Sequence, residues 1–207
     1  MSERTIVSDP YNSLPSERSM EFRLVYAGPL LGASRTDTRS QHKHDIRKIF
    51  HRQLKILWEK SPNLREWVSW EPQKKRKMRE RLASHFIFNG VGYVPLSWDG
   101  LGVACRLDIL MMRPEMPGQT LIQGGDIDNR LKTLFDALRI PQAGEASEPS
   151  VDGANPFYCL LHDDKLINHL SVTTDILLED VDRNHVQLVV TVNLWPISHT
   201  MINTGIF

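Results

Sequence analysis

A chain of 207 residues, 41% hydrophobic and 24% charged, carries enough apolar material for a buried core and reads as one domain with extensions. Twenty-five basic residues balance 25 acidic ones, which excludes a uniformly basic nucleic-acid binder and leaves electrostatic recognition to local clusters. Two cysteines, Cys105 and Cys159, make no disulfide framework. No apolar run is long enough to cross a bilayer, and "MSERTIVSDPYNSLPSERS" lacks the apolar core of a secretory signal, so a soluble cytoplasmic protein with no membrane partner is expected.

Residues 1–18 are polar, contain Pro10 and Pro15 and show no periodicity, which predicts a flexible tail before a single domain over 19–207. Met20, Phe22, Leu24 and Tyr26 alternate with Glu21, Arg23 and Val25, the period of a half-buried strand. "AGPLLGASRTDTRSQ" reads as a loop. From His42 to Lys60, Ile46, Ile49, Phe50, Leu54, Leu57 and Trp58 recur at three- and four-residue intervals and predict an amphipathic helix. A second helix is expected over Lys74–His85, carrying the cationic run "KKRKMRER". Lys74, Lys75, Arg76, Lys77, Arg79 and Arg81 are candidate phosphate contacts there, although a solvated helix face has the same composition.

"FIFNGVGYVPLSWDG" is strand and turn material punctuated by Gly90, Gly92 and Pro95, and it lacks the lysine and helix context of a phosphate loop, so no nucleotide cofactor is expected. Val103, Cys105, Leu107, Ile109 and Met111 alternate to form a strand ended by Pro114. From Asp128 to Leu138, Leu131, Leu134, Phe135 and Leu138 form an apolar helical stripe, and Asp128, Lys132 and Asp136 another face. Residues 141–156 form a loop of insertion character, and "FYCLLHDDKLINHLSVTTDILLE" supplies one or two strands around an acidic turn. Val186, Leu188, Val190, Val192 and Leu194 mark a final strand. The expected class is α/β (α+β), a single mixed sheet covered by helices.

Asp126 and Asp128, one residue apart, would point the same way in an extended chain, where mutual repulsion favours a bound divalent cation. Asp163 and Asp164 are available as further hard-oxygen ligands, and Lys132 stands one turn beyond Asp128. The competing reading makes Asp126 and Asp128 helix-capping residues and Lys132 a solvated partner of Asp128 and Asp136. His42, His44 and His51 near the first helix, and Cys159 with His162, do not complete a zinc-ligand spacing. The five tryptophans, Trp58, Trp67, Trp70, Trp98 and Trp195, are too scattered for a stacking platform and are expected in the core or an interface.

"GDIDNRLKTLFDAL" followed by "LHDDKLI" resembles the RusA family of Holliday junction resolvases, through Asp126, Asp128, Asn129, Lys132, Asp136, Ala137, Leu138, Asp163 and Asp164. The likeness covers roughly residues 103–194, with a weaker likeness near 20–28; the stretches near 36–100, with helical material in the N-terminal half, and 141–156 are additions. The resemblance implies a RusA-like fold and a magnesium-dependent (manganese possible in its place) homodimeric endonuclease cutting branched DNA, in a bacterial or phage-encoded cytoplasmic protein. It implies Asp126, Asp128 and Asp164 as catalytic metal-binding carboxylates with Asp163 beside them, Lys132 at the phosphate, and Asn129 and Asp136 in supporting positions. A catalytically silent DNA- or protein-binding module, or a nuclease of phage DNA processing or defence, stands as the alternative.

Overall fold

The computed structural model describes residues 19–32, 37–71, 74–114, 127–142, 145 and 154–207. The expected tail over 1–18 and most of the loop over 141–156 lie outside them, as does Asp126.

The chain runs β1 (Met20–Pro29), α1 (Asp37–Lys60), α2 (Pro62–Glu66), β2 (Val68–Glu71), β3 (Lys74–Lys77), α3 (Met78–His85), β4 (Phe86–Phe88), β5 (Val91–Ser97), β6 (Val103–Arg113), α4 (Ile127–Leu138), β7 (Phe157–Leu161), β8 (Ile167–Ile176) and β9 (His185–Pro196). The class is mixed α+β, but the expected single sheet is three. Four strands form one sheet in the order β1-β9-β6-β8, three another in the order β4-β5-β7, and β2 and β3 a separate ribbon.

Backbone chemistry explains the division. The chain segments 91–113 and 157–176 run side by side in parallel, Tyr93 against Phe157 in one sheet and Leu107 against Leu170 in the next. Both are broken at the same level, by the turn 98–102 and by a 3-10 turn over Asp164–Leu166. In the first break Gly100 and Gly102 take positive φ of 84° and 70°, and a Cβ on Gly102 would lie 2.7 Å from the Ser198 hydroxyl, so only glycine bends the chain there. The break sets the acidic turn between the two sheets.

The expected strands at β1, β6 and β9 are present, β1 extending three residues beyond Tyr26. α1 begins at Asp37, five residues before the predicted start, so part of the predicted loop is helix. The predicted helix over Lys74–His85 is corrected: Lys74–Lys77 pair as a strand with Val68–Glu71, and helix begins only at Met78. Four successive long cations repel one another on a helix, whereas the extended strand alternates them across two faces.

The main core joins Leu24 and Tyr26 of β1, Ile46, Phe50, Leu54 and Trp58 of α1, Leu131, Leu134 and Leu138 of α4, and the inward residues of β6 and β9. Each such fully buried side chain contributes about 2 kcal/mol of transfer free energy. Trp58 stacks on Trp67 at 5.9 Å between ring centroids, Trp67 meets Trp98 at 5.5 Å, and the Trp67 indole donates to the Ile202 carbonyl at 2.9 Å. These three tryptophans therefore hold the C-terminal segment to the core.

α1 is fastened to β7 by His51, whose Nδ1 accepts the Tyr158 amide at 2.8 Å while its ring lies 4.2 Å from that of Phe157. His51→Leu keeps the bulk but leaves the Tyr158 amide without that acceptor. Urea unfolding should show a loss of about 2 kcal/mol; an unchanged midpoint would show that the bond contributes nothing.

Candidate functional site

α4 is amphipathic in an unusual proportion. Arg130, Leu131, Thr133, Leu134, Asp136, Ala137 and Leu138 are buried, Ile127 and Phe135 half-buried, and only Asp128, Asn129 and Lys132 are exposed. The exposed strip holds three of the polar positions of the sequence motif, whereas Asp136 is buried. Asp128 Oδ1 accepts the Asn129 amide at 2.8 Å, as a carboxylate at a helix start does. Gly32, just beyond β1, lies beside this strip: a Cβ there would sit in ordinary contact with Asn129 Cβ, 3.5 Å away.

The other end of α4 is locked by buried charge. Asp136 is 4% exposed and pairs with Lys43 of α1 at 2.6 Å and with Arg139. Glu145 accepts from Arg139 at 2.8 Å and lies 3.6 Å from both Lys43 and Arg47. Arg47, 2% exposed, donates to the carbonyls of Asp136 at 2.7 Å and Arg139 at 3.2 Å, so a side chain from α1 satisfies the carbonyls that end α4. Asp136 thus belongs to a structural charge network. The expectation that it forms one face with Asp128 and Lys132 is corrected: it is buried against Lys43 of α1 and Arg139, while Asp128 and Lys132 are exposed.

The acidic turn lies where β7 ends. Arg139, following α4, bridges in parallel to Leu161, the Ile140 amide donates to the Leu161 carbonyl at 3.1 Å, and α4 packs against the 3-10 turn. Asp163 caps that turn, its Oδ1 accepting the Lys165 amide at 3.0 Å. The Asp163 and Asp164 carboxyls are neighbours, each acting on the other's titration. The Lys165 amide holds Asp163 below the usual carboxylate range, whereas burial pushes Asp164 above it, aided by Asp163 and Asp136 and opposed by Arg139. Two carboxyls in contact share a proton or bind a cation, since two adjacent anions repel.

Around them, Lys165 Nζ meets Asp99 Oδ2 at 3.0 Å, His162 Nδ1 lies 3.8 Å from the same oxygen, and the His162 ring stands 4.8 Å from Phe86. Lys165 and Asp99 were not among the predicted site residues. They follow from the alignment of the two strand breaks, which no local pattern announces.

Asp163, Asp164, Asp136 and Arg139 are thus brought together, while Asp128 and Lys132 form the separate exposed strip of α4. Among the described residues no group of three or more His, Cys, Asp or Glu side chains is arranged to hold a metal ion. Cys105 and Cys159 are buried thiols, Cys105 pushed up to about 12 by burial and Cys159 pushed up likewise. His51 spends Nδ1 on Tyr158, and His42 Nε2 accepts the Leu31 amide at 3.2 Å.

The basic run is largely engaged within the protein. Lys77 donates to Glu66 at 2.9 Å and to the Arg65 carbonyl at 3.1 Å, Arg81 to Ser69 at 3.2 Å, Arg76 to Ser84 at 3.5 Å, and Arg79 hydrogen-bonds Tyr158. Lys75 is exposed; the Lys74 side chain lies outside the described set. A groove of about 620 Å³ between α2 and the C-terminal segment is lined by Trp67, Glu66 and Met201 among others, and by none of the candidate residues. No helix among the described residues is long and apolar enough to cross a membrane. The chain matches no protein-family model and no curated protein.

The acidic pair has a readable titration. In carbon-13 spectra Asp164 should titrate above the usual aspartate range and Asp163 below it. The neutral Asp164 stabilises the fold fully at low pH and that contribution is lost as pH rises through its raised pKa; Asp163 contributes above its unfolded pKa and loses that contribution as pH falls. Asp163→Asn should return Asp164 toward the usual range, and two ordinary, independent titrations would contradict the pairing.

Proposed function

We propose that the protein is a divalent-metal-dependent endonuclease that hydrolyses phosphodiesters in branched DNA, with the four-way junction as its preferred substrate, working as a homodimer. The reading rests on the RusA-like motif, and the observation that carries it is the adjacent half-buried pair Asp163–Asp164 in a turn packed against the helix whose exposed strip is Asp128, Asn129 and Lys132. A cation bound between two neighbouring carboxylates would relieve their repulsion.

In this proposal Asp126, Asp128, Asp163 and Asp164 hold the cation. Magnesium or manganese, when bound, supplies Lewis-acid polarisation of the phosphate and a water of lowered pKa. Because the pKa of Asp164 is raised while free, protons compete with the cation there and affinity falls as pH falls through that pKa. Lys132 sets its ammonium against the charge that develops on the phosphate oxygens. Asn129 steadies the strip, and Asp136 acts from beneath by fixing α4 through Lys43, Arg47 and Arg139. Lys74, Lys75, Arg76, Lys77, Arg79 and Arg81 contribute phosphate contacts and a local positive field.

The test is cleavage of a labelled four-way junction and a matched linear duplex, with and without magnesium, by the wild type, Asp128→Asn, Asp164→Asn and Lys132→Ala. Expected are metal-dependent paired nicks in the junction, at least about a hundredfold slower in each aspartate variant with junction binding retained. Binding without cleavage would replace this reading by a silent DNA-binding module. Cleavage of linear DNA or RNA with no junction preference would move it to nucleic-acid processing or defence, and cleavage untouched by both aspartate variants would overturn the site.

A further inference from the structure

The two edges of the four-stranded sheet are treated differently. At β1, the outward backbone of Val25 is closed by Gln53 of α1, whose Oε1 accepts the Val25 amide at 2.9 Å and whose Nε2 donates to the Val25 carbonyl at 2.7 Å. At the other edge β8 extends over Ile167–Ile176 and pairs, among the described residues, with β6 alone. Its sequence "INHLSVTTDI" contains no proline and no lysine, the residues that commonly blunt a free edge, and Leu170 on it is 42% exposed.

We infer that the β8 edge is an interface at which a second copy of this chain adds its own β8 in antiparallel pairing about a two-fold axis at Val172. The strand is self-complementary about that point. With Val172 opposite its copy, Ser171 meets Thr173, Leu170 meets Thr174, and His169 meets Asp175, an imidazole against a carboxylate. His169 and Asp175 lie on one face, aligned with Arg106 and Met112 of β6, as direct pairing demands. Asp175 spends Oδ1 on the Ile176 amide, which leaves Oδ2 for His169 of the copy. Leu170 and Val172 lie on the other face, which continues the core across the junction. The product is one eight-stranded sheet whose two outer edges are β1 strands, each capped by Gln53 at Val25. This inference gives the homodimer of the proposed function a place, and it does not depend on the nuclease reading.

Sedimentation equilibrium of the full chain, without metal or DNA, tests it. The wild type should reach twice its 23.8 kDa with rising concentration. His169→Asp, placing like charges opposite each other twice, should weaken the dimer about tenfold, and His169→Asp with Asp175→His should restore it. Under mild oxidation Val172→Cys should give a covalent dimer, whereas Val25→Cys on the closed edge should not; the native cysteines are buried. A monomer throughout, a dimer indifferent to His169→Asp, or equal cross-linking through Val25→Cys would overturn the inference. Because no readout is cleavage, its failure is distinct from that of the proposed function.

Discussion

Arg47 is the constraint on which the placement of the candidate site depends. It stands on α1, is nearly inaccessible to solvent, and donates to the carbonyls that α4 leaves unsatisfied at its C-terminus. A buried guanidinium is costly, and burial pulls its pKa below the usual value; Glu145 opposes that shift. Asp136 and Glu145 surround it and its neighbours Lys43 and Arg139, so the charges are held among counter-ions. A hydrophobic contact would tolerate sliding of α4 along α1. Directional bonds to two named carbonyls fix both its rotation and its axial position, and with them which residues of α4 remain exposed.

Beyond that fixed helix Arg139 bridges to Leu161 at the end of β7, where the acidic turn begins. The two parallel segments break at the same level, so the turn is an interruption of a sheet, held on both sides by paired strands. Such a turn presents Asp163 and Asp164 with little freedom, which keeps their carboxyls in contact. Lys165 and His162 on Asp99 tie the opposing break to it. Rigid support for a polar cluster is what metal-dependent chemistry requires of a scaffold, because misplacement of a ligand is paid for in affinity.

Much of this was legible in the sequence. The period of α1 follows from Ile46, Phe50, Leu54 and Trp58, and the alternations of β6 and β9 from residues that face one core. Each signal is local, set by which face meets apolar neighbours. β5 resisted definition because all of "VGYVPLS" is buried, so no alternation marks it. The boundary at Lys77 was invisible because composition does not distinguish four cations on a ribbon from four on a helix. Asp136 shows the limit most clearly. Helical spacing groups it with Asp128 and Lys132, yet Lys43 and Arg47 draw it inward, and no local pattern encodes a partner on α1. Asp128, Asn129 and Lys132 are what α4 leaves to solvent.

The central claim is that the acidic turn and the exposed end of α4 together hold one divalent cation. Isothermal titration of manganese into the wild type, Asp164→Asn and Asp128→Asn reads it most directly. The account predicts one saturable site per chain, with affinity at least about tenfold weaker in either variant. Absence of saturable binding, or binding that both variants retain unchanged, would contradict it.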